Sequence, residues 1–193
     1  MSLPHAILTA LLEKPSSGLE LTRRFDKSIG FFWPATHQQI YRELGRLEEA
    51  GLIRELPQQQ PARGGRKEYE VLPEGRDALV AWVGESQDPR PVRDALVLRL
   101  RAAAVVGTAG AGSGLGDELL RHRELHRRQL AEYREIAQRD FASVADERAR
   151  LQHLVLQAGI GLETFWLDWL DQALAQLAEG DLDEELDGDL GET

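Results

Sequence analysis

The sequence predicts a mostly α-helical protein in two parts: three short helices closed by a β-hairpin, then a longer helical region. Three observations carry that reading. Apolar residues recur at helical spacing in short runs over the first half. Two short runs, residues 52–56 and 68–72, flank a polar stretch in the manner of paired strands. Two composition breaks then interrupt the chain, the proline-bearing Ser86-Gln87-Asp88-Pro89-Arg90-Pro91 and the glycine-rich residues 107–116. The expected boundaries are therefore 1–86, 87–178 and a terminal 179–193.

The elements follow in order. Leu3, Ile7, Leu8, Leu11 and Leu12 form one stripe of a first helix, stopped by Lys14-Pro15-Ser16. Ser17-Gly18-Leu19-Glu20 has the pattern of a capping box, opening a second helix with Leu21 and Phe25 inward and an end near Ile29. Phe31-Phe32-Trp33-Pro34 is an aromatic connector. Thr36-His37-Gln38-Gln39 is a second capping box, and Ile40, Leu44 and Leu47 make the buried face of a third helix that stops at Gly51. Pro73 starts a fourth, with Ala78, Leu79, Trp82 and Val83 as its apolar positions.

Beyond the breaks, three further helices are expected, over about 92–106, 117–141 and 143–178. The middle one is laced by pairs such as Glu124–Arg128 and Glu135–Arg139. In the last, Leu162, Phe165, Trp166, Trp169, Leu170, Ala173, Leu174 and Leu177 form an apolar face too wide for a single contact, so it wants a partner helix.

Composition narrows the function. The 193 residues are 42% hydrophobic, enough for a core, and contain no cysteine, which removes disulfides, thiolate nucleophiles and cysteine-based zinc sites. No apolar run has the length of a membrane helix, and the expected location is cytoplasmic with no membrane partner. The net charge of −10 is uneven. Residues 1–93 balance 13 basic against 13 acidic residues, while the remainder holds the whole acidic excess. Residues 180–193 alone carry seven acids and no base, the composition of a disordered tail. An acidic total therefore does not exclude a nucleic-acid partner for the first half.

Helix, helix, helix, strand, basic loop, strand is the winged helix-turn-helix plan. The third helix sets His37, Gln38, Tyr41, Arg42 and Gly45 opposite its buried stripe, as a helix entering a major groove requires. The loop between the strands carries Arg63, Arg66 and Lys67 around Gly64-Gly65, a flexible cationic tip suited to phosphates. The expected DNA-binding set is Thr36, His37, Gln38, Gln39, Tyr41, Arg42, Arg63, Arg66 and Lys67, with Arg24 from the second helix. His122 and His126 stand at i,i+4 one turn after Glu118, but without a further ligand they read as surface histidines; neither metal nor cofactor is expected. Glu163, Asp168 and Asp171 read as a solvated face, and with no nucleophile or phosphate loop an enzyme is not expected.

In order, Ser17-Gly18-Leu19-Glu20-Leu21, Phe32-Trp33-Pro34, the run from Gln39 to Ile53 and the run from Arg66 to Arg76 resemble the PadR family of bacterial transcriptional regulators. The likeness spans most of residues 3–84, and the helical second half resembles the family's longer subtype with a virulence-activator-like extension. Pro73 stands where the family often has Thr, and Leu19 where it usually has Tyr. The resemblance implies a homodimeric DNA-binding regulator, expected to be a repressor on an inverted-repeat operator in double-stranded DNA. Dimerisation is expected through Leu162, Phe165, Trp166, Trp169, Leu170, Leu174 and Leu177. It also implies a small aromatic effector, for which Trp33, Trp166 and Trp169 are the candidate pocket. The alternatives are a protein-interaction adaptor and a ligand-binding scaffold that use the winged helix without reading DNA. The basic wing separates them, since an adaptor has no need of it.

Overall fold

The structure is a computed structural model that describes residues 3–27, 33–57, 67–89, 91–107, 114–143 and 146–189. The chain divides into two compact units, Met1–Arg90 and Pro91–Thr193.

In the first unit α1 (Leu3–Glu13), α2 (Gly18–Lys27) and α3 (His37–Glu49) enclose one apolar cluster. Ile7, Leu8, Ala10, Leu11, Leu21, Phe25, Ile40, Leu44, Leu47 and Ile53 are all buried there. Each large side chain removed from water contributes about 1.5–3 kcal/mol, so these stripes hold the helices together without help from elsewhere. A strand pair, β2 (Ile53–Glu55) and β3 (Glu68–Val71), closes the cluster, followed by α4 (Pro73–Val83). The pairing is antiparallel, with Ile53 opposite Val71, Arg54 opposite Glu70 and Glu55 opposite Tyr69. Of the fourth helix's expected apolar positions, Leu79 packs on the cluster, whereas Val83 near the helix end is exposed.

A third strand was not legible in the residues. Ser16 and Ser17 form β1 and pair antiparallel with the far edge of β3, giving the sheet order β1-β3-β2. Two residues carry no alternation to read, and long-range pairing alone creates the strand.

The second unit begins with α5 (Ala95–Val106), whose first amides are capped by the Asp94 carboxylate at 2.8 and 3.1 Å. Two long helices, α6 (Gly114–Asp140) and α7 (Glu147–Asp189), then pack antiparallel, as the pairs Arg123–Asp171, His126–Glu163 and Tyr133–Gly159 mark. Leu96, Leu119 and Leu170 are buried where α5, α6 and α7 meet, with Trp169, Ala173, Leu174 and Leu177 against them. Along α6, Glu124 pairs with Arg128 at 2.6 Å, whereas Arg139 pairs with its neighbour Asp140 rather than with Glu135.

The backbone of α7 is helical to Asp189. Two expectations for this unit are corrected. Glu163 is buried rather than on a solvated face, and accepts a 2.6 Å hydrogen bond from or donates one to His126 Nδ1. His126 in turn stacks on Trp166 with ring centroids 5.6 Å apart, so it belongs to the α6–α7 seam rather than to the open surface. Among the described residues no group of three metal-ligating side chains converges there.

Candidate nucleic-acid interface

The third helix begins with a reciprocal cap. Thr36 Oγ1 accepts from Gln39 N at 3.2 Å, and Gln39 Oε1 accepts from Thr36 N at 2.8 Å. It ends in a Schellman turn: Gly51 at φ +69° lets Leu52 N donate to Leu47 O and Gly51 N to Glu48 O. Both ends of α3 are thus held by local bonds, while Ile40, Leu44 and Leu47 pin it to the core. A helix fixed in this way presents its other face as a rigid surface.

That outer face carries Gln38, Tyr41, Arg42, Gly45 and Arg46 at i, i+3, i+4, i+7 and i+8. Gln38, Tyr41, Arg42 and Arg46 are exposed. Nothing lies within 4 Å of a Cβ placed on Gly45, so the middle of the face is open to close approach. Arg46 was not among the sequence candidates, although its place one turn beyond Arg42 was the available signal. Its guanidinium reaches Glu43 at 3.3 Å on its own helix.

Not every expected residue stands on that face. The acceptor oxygens of Thr36 and Gln39 serve the cap, so these two position the helix. His37 is exposed in the first turn. Arg24 is turned inward: its guanidinium donates to Ala10 O, Lys14 O and Ser16 Oγ and pairs with Glu13 at 2.8 Å. Ala10 O already accepts Lys14 N at 3.2 Å and Lys14 O lies in the turn after α1, so Arg24 adds a second donor at the end of that helix and acts as a C-terminal cap for it.

At the wing, Arg63 and Arg66 lie outside the described residues. Lys67 stands at the start of β3 and pairs with Glu55 Oε2 at 2.7 Å. The Glu55 hydrogen bond and charge hold the Lys67 ammonium above its ordinary range, so it stays protonated. Beside it Tyr69 is pushed up, first by burial and then by Glu48, and keeps a neutral phenol. Across the hairpin Arg54 bridges to Glu70 at 2.6 Å.

The remaining candidates fall in two places. Trp33 packs on the core of the first unit, and Trp166 and Trp169 belong to the second, meeting edge to face at 5.5 Å. Leu170 is fully buried in its own chain and is corrected from the expected dimer surface: α5 and α6 cover it. Trp169, Leu174 and Leu177 lean on the same cluster, while Leu162 and Phe165 are more than half exposed at 54% and 56%. A recess of about 280 Å³ opens between α5 and α6, lined by Arg99, Ala102, Ala103, Val106, Leu115 and Glu118.

Comparison with known proteins matches these two units separately. Residues 7–81 match the transcriptional regulator PadR-like family, and residues 92–178 match the virulence activator alpha C-terminal domain. A probable transcriptional regulator of Mycobacterium tuberculosis is 42% identical over 93% of this chain and 99% of its own. The Vibrio cholerae virulence activator AphA superposes with a TM-score of 0.74 at 33% identity, covering 92% of this chain and 99% of its own. Bacillus subtilis PadR in complex with operator DNA superposes at 0.75 with 28% identity, covering 91% and 99%. The same protein in complex with p-coumaric acid gives 0.72 at 26% identity, covering 92% and 99%. Among the described residues no helix is long and apolar enough to cross a membrane. A reading helix capped at both ends, a hairpin beside it and likeness along nearly the whole chain converge: this protein belongs to the PadR family and is a DNA-binding transcriptional regulator, not an enzyme.

Proposed function

We propose that this regulator is a homodimeric repressor that reads an inverted-repeat operator with α3 and anchors to the backbone with its wing. The observation that carries the reading is the outer face of α3, where Gln38, Tyr41, Arg42 and Arg46 are exposed on a helix whose other face is buried. Amides and guanidinium groups are the side chains that discriminate base edges in a major groove. Arg63, Arg66 and Lys67 add sequence-independent attraction to phosphate. The repressing sense is supported by the relative in Bacillus subtilis, a negative transcriptional regulator 28% identical over 91% of this chain.

For the dimer, the surface favoured is the exposed row Leu151, Leu154, Val155, Leu162 and Phe165 on α7, which lies N-terminal to most of the residues expected from the sequence. Its occupant is a second copy of the chain. An apolar row recurring at steps of three, four and seven residues along a helix of 43 residues can meet its own copy about a two-fold axis. Two reading heads on half-sites about 34 Å apart then share one duplex, which raises affinity without new contacts. A small aromatic effector would release the DNA, by analogy with the relative bound to p-coumaric acid. The α5–α6 recess offers such a ligand an apolar lining of Ala102, Ala103, Val106 and Leu115, with Arg99 at its edge paired to Glu118 at 3.1 Å.

The test is selection of a duplex from a random library by the wild-type chain, followed by footprinting. We expect a protected inverted repeat, binding that weakens steeply with salt, and a changed base preference in Gln38→Ala of about 1–3 kcal/mol at one position. Selection of no sequence, with salt-insensitive binding to a protein partner instead, overturns the reading in favour of an adaptor.

A further inference from the structure

We infer that Gly18 is a positioning residue for DNA recognition: by carrying no side chain at the start of α2, it lets the Tyr41 ring lie against that helix and so fixes where the phenol stands on the reading face. This rests on the role proposed above for α3.

A glycine is required for one of two reasons, a positive φ or the close approach of another group. The first does not apply. Gly18 has an ordinary helical backbone; the positive-φ glycines among the described residues are Gly51 and Gly107. Intrinsic preference even runs the other way, since alanine is favoured over glycine in a helix by about 1 kcal/mol. The second applies directly. A Cβ at Gly18 would stand 2.5 Å from Tyr41 Cε1 and 2.8 Å from Cζ, closer than real Cβ contacts come, and 3.2 Å from Cδ1, a tight contact. The intruded atoms are the phenol end of one ring.

The two sides of this contact differ in stiffness. The start of α2 is held by Ser17, whose Oγ accepts from Glu20 N at 3.3 Å, and by the pairing of Ser16 and Ser17 with Tyr69 and Glu68. Arg24 ties Ser16 to the end of α1 as well. Tyr41, by contrast, is 51% exposed and turns about its own side-chain bonds. An added methyl at Gly18 therefore moves the ring, not the helix. Stability changes little, while the phenol leaves its place against the start of α2. The group a phenol hydroxyl meets on that face of a bound duplex is a phosphate oxygen, to which it donates a charge-assisted hydrogen bond.

The experiment is a double-mutant cycle on the full chain, using the duplex selected by the wild type and an unrelated duplex of the same length. Tyr41→Phe removes only the hydroxyl and is expected to weaken binding to the selected duplex about tenfold, the size of one hydrogen bond to a charged group. Gly18→Ala should weaken it by a comparable factor with an unchanged melting temperature. In a Tyr41→Ala background the Gly18→Ala change should have no further effect, because no ring remains to be displaced. A merely structural role for Gly18 would persist in that background. Gly18→Ala binding as tightly as wild type, or losses at the two positions that multiply, overturns the inference while leaving the DNA reading intact. A wild-type chain that selects no duplex overturns both.

Discussion

The two units bury their apolar residues to very different degrees, although both are helical. In the first, three amphipathic helices and a hairpin share one cluster of ten buried residues, and Phe25, Ile7, Leu8 and Ile40 reach full burial. In the second, the cluster at the α5–α6–α7 meeting point comprises Leu96, Leu119 and Leu170, while Leu98, Val105, Val106, Leu154, Leu162 and Phe165 stay open to water. Helix α5 shows why: apart from Arg99 and Arg101 it is apolar throughout, and packing buries Leu96 and Ala103 while leaving Leu98, Val105 and Val106 exposed. The difference teaches where each unit finds its stability. The first buries its apolar stripes within its own cluster, whereas the second leaves large apolar side chains open to water, and these are what the proposed dimer would cover.

The comparison breaks most sharply at Phe25. Phe25→Ala leaves a cavity in the buried cluster of the first unit, and a loss of about 3–5 kcal/mol is expected. Chemical denaturation followed by circular dichroism checks it; a loss below 1 kcal/mol would mean that the unit is not self-supporting. In the second unit the largest effect should fall on association. Leu162→Asp with Phe165→Asp is expected to shift sedimentation from dimer to monomer while each protomer keeps its helical content, since both side chains are exposed within one chain. Leu170→Ala should do the opposite, destabilising the protomer by about 2–5 kcal/mol because its neighbours Leu96 and Leu119 lose contact.

Smaller effects sharpen the contrast. Thr36→Ala removes the cap of α3 and should cost about 1 kcal/mol, read as a lower denaturation midpoint of the first unit. The smallest concerns His5, which stacks on Trp82 with centroids 4.4 Å apart. Burial lowers its pKa below the ordinary value of 6.5, against the opposing pull of Glu85. The unfolded chain then binds the proton more readily than the fold, so stability should be complete above that ordinary value and fall as the solution is acidified through it. A His5→Phe variant should lose this slope; an equal slope in both proteins would assign it to other groups.

Much of the first unit was legible because its signals are local. The capping box at Thr36 and Gln39, the stop at Gly51 and the stripe Ile40, Leu44, Leu47 each occupy a few neighbouring residues, and each stands in the fold as its spacing implies. The exposed residues of α3 follow from the same period: what is opposite a buried stripe faces out. Arg24 shows the limit. Its charge marks it as a phosphate contact by composition, yet its distance from the end of α1 depends on how two helices cross, and the crossing turns it inward onto Ala10 O.

The second unit was legible as helices but not as surfaces. Residues 151–177 carry apolar side chains on both sides of α7, and periodicity cannot say which side its own chain will cover. Packing against α5 and α6 decided that, covering Leu170 and leaving Leu162 open. It also made a part-buried pair of His126 and Glu163, residues 37 positions apart that no spacing rule connects.

The sequence by itself determined the helices and the hairpin, their order, the capping of the reading helix and, through motif order, the family. These depend on bonds and contacts within a turn or two of the chain, where residue type and spacing are the whole of the physics. Only the tertiary structure decided that β1 exists, that Arg24 caps α1, that Leu170 is core, and that Gly18 stands beneath Tyr41. Each of those is a meeting of residues distant in the chain. Such meetings are selected by the free energy of burying whole faces together, and no local pattern encodes which faces will meet.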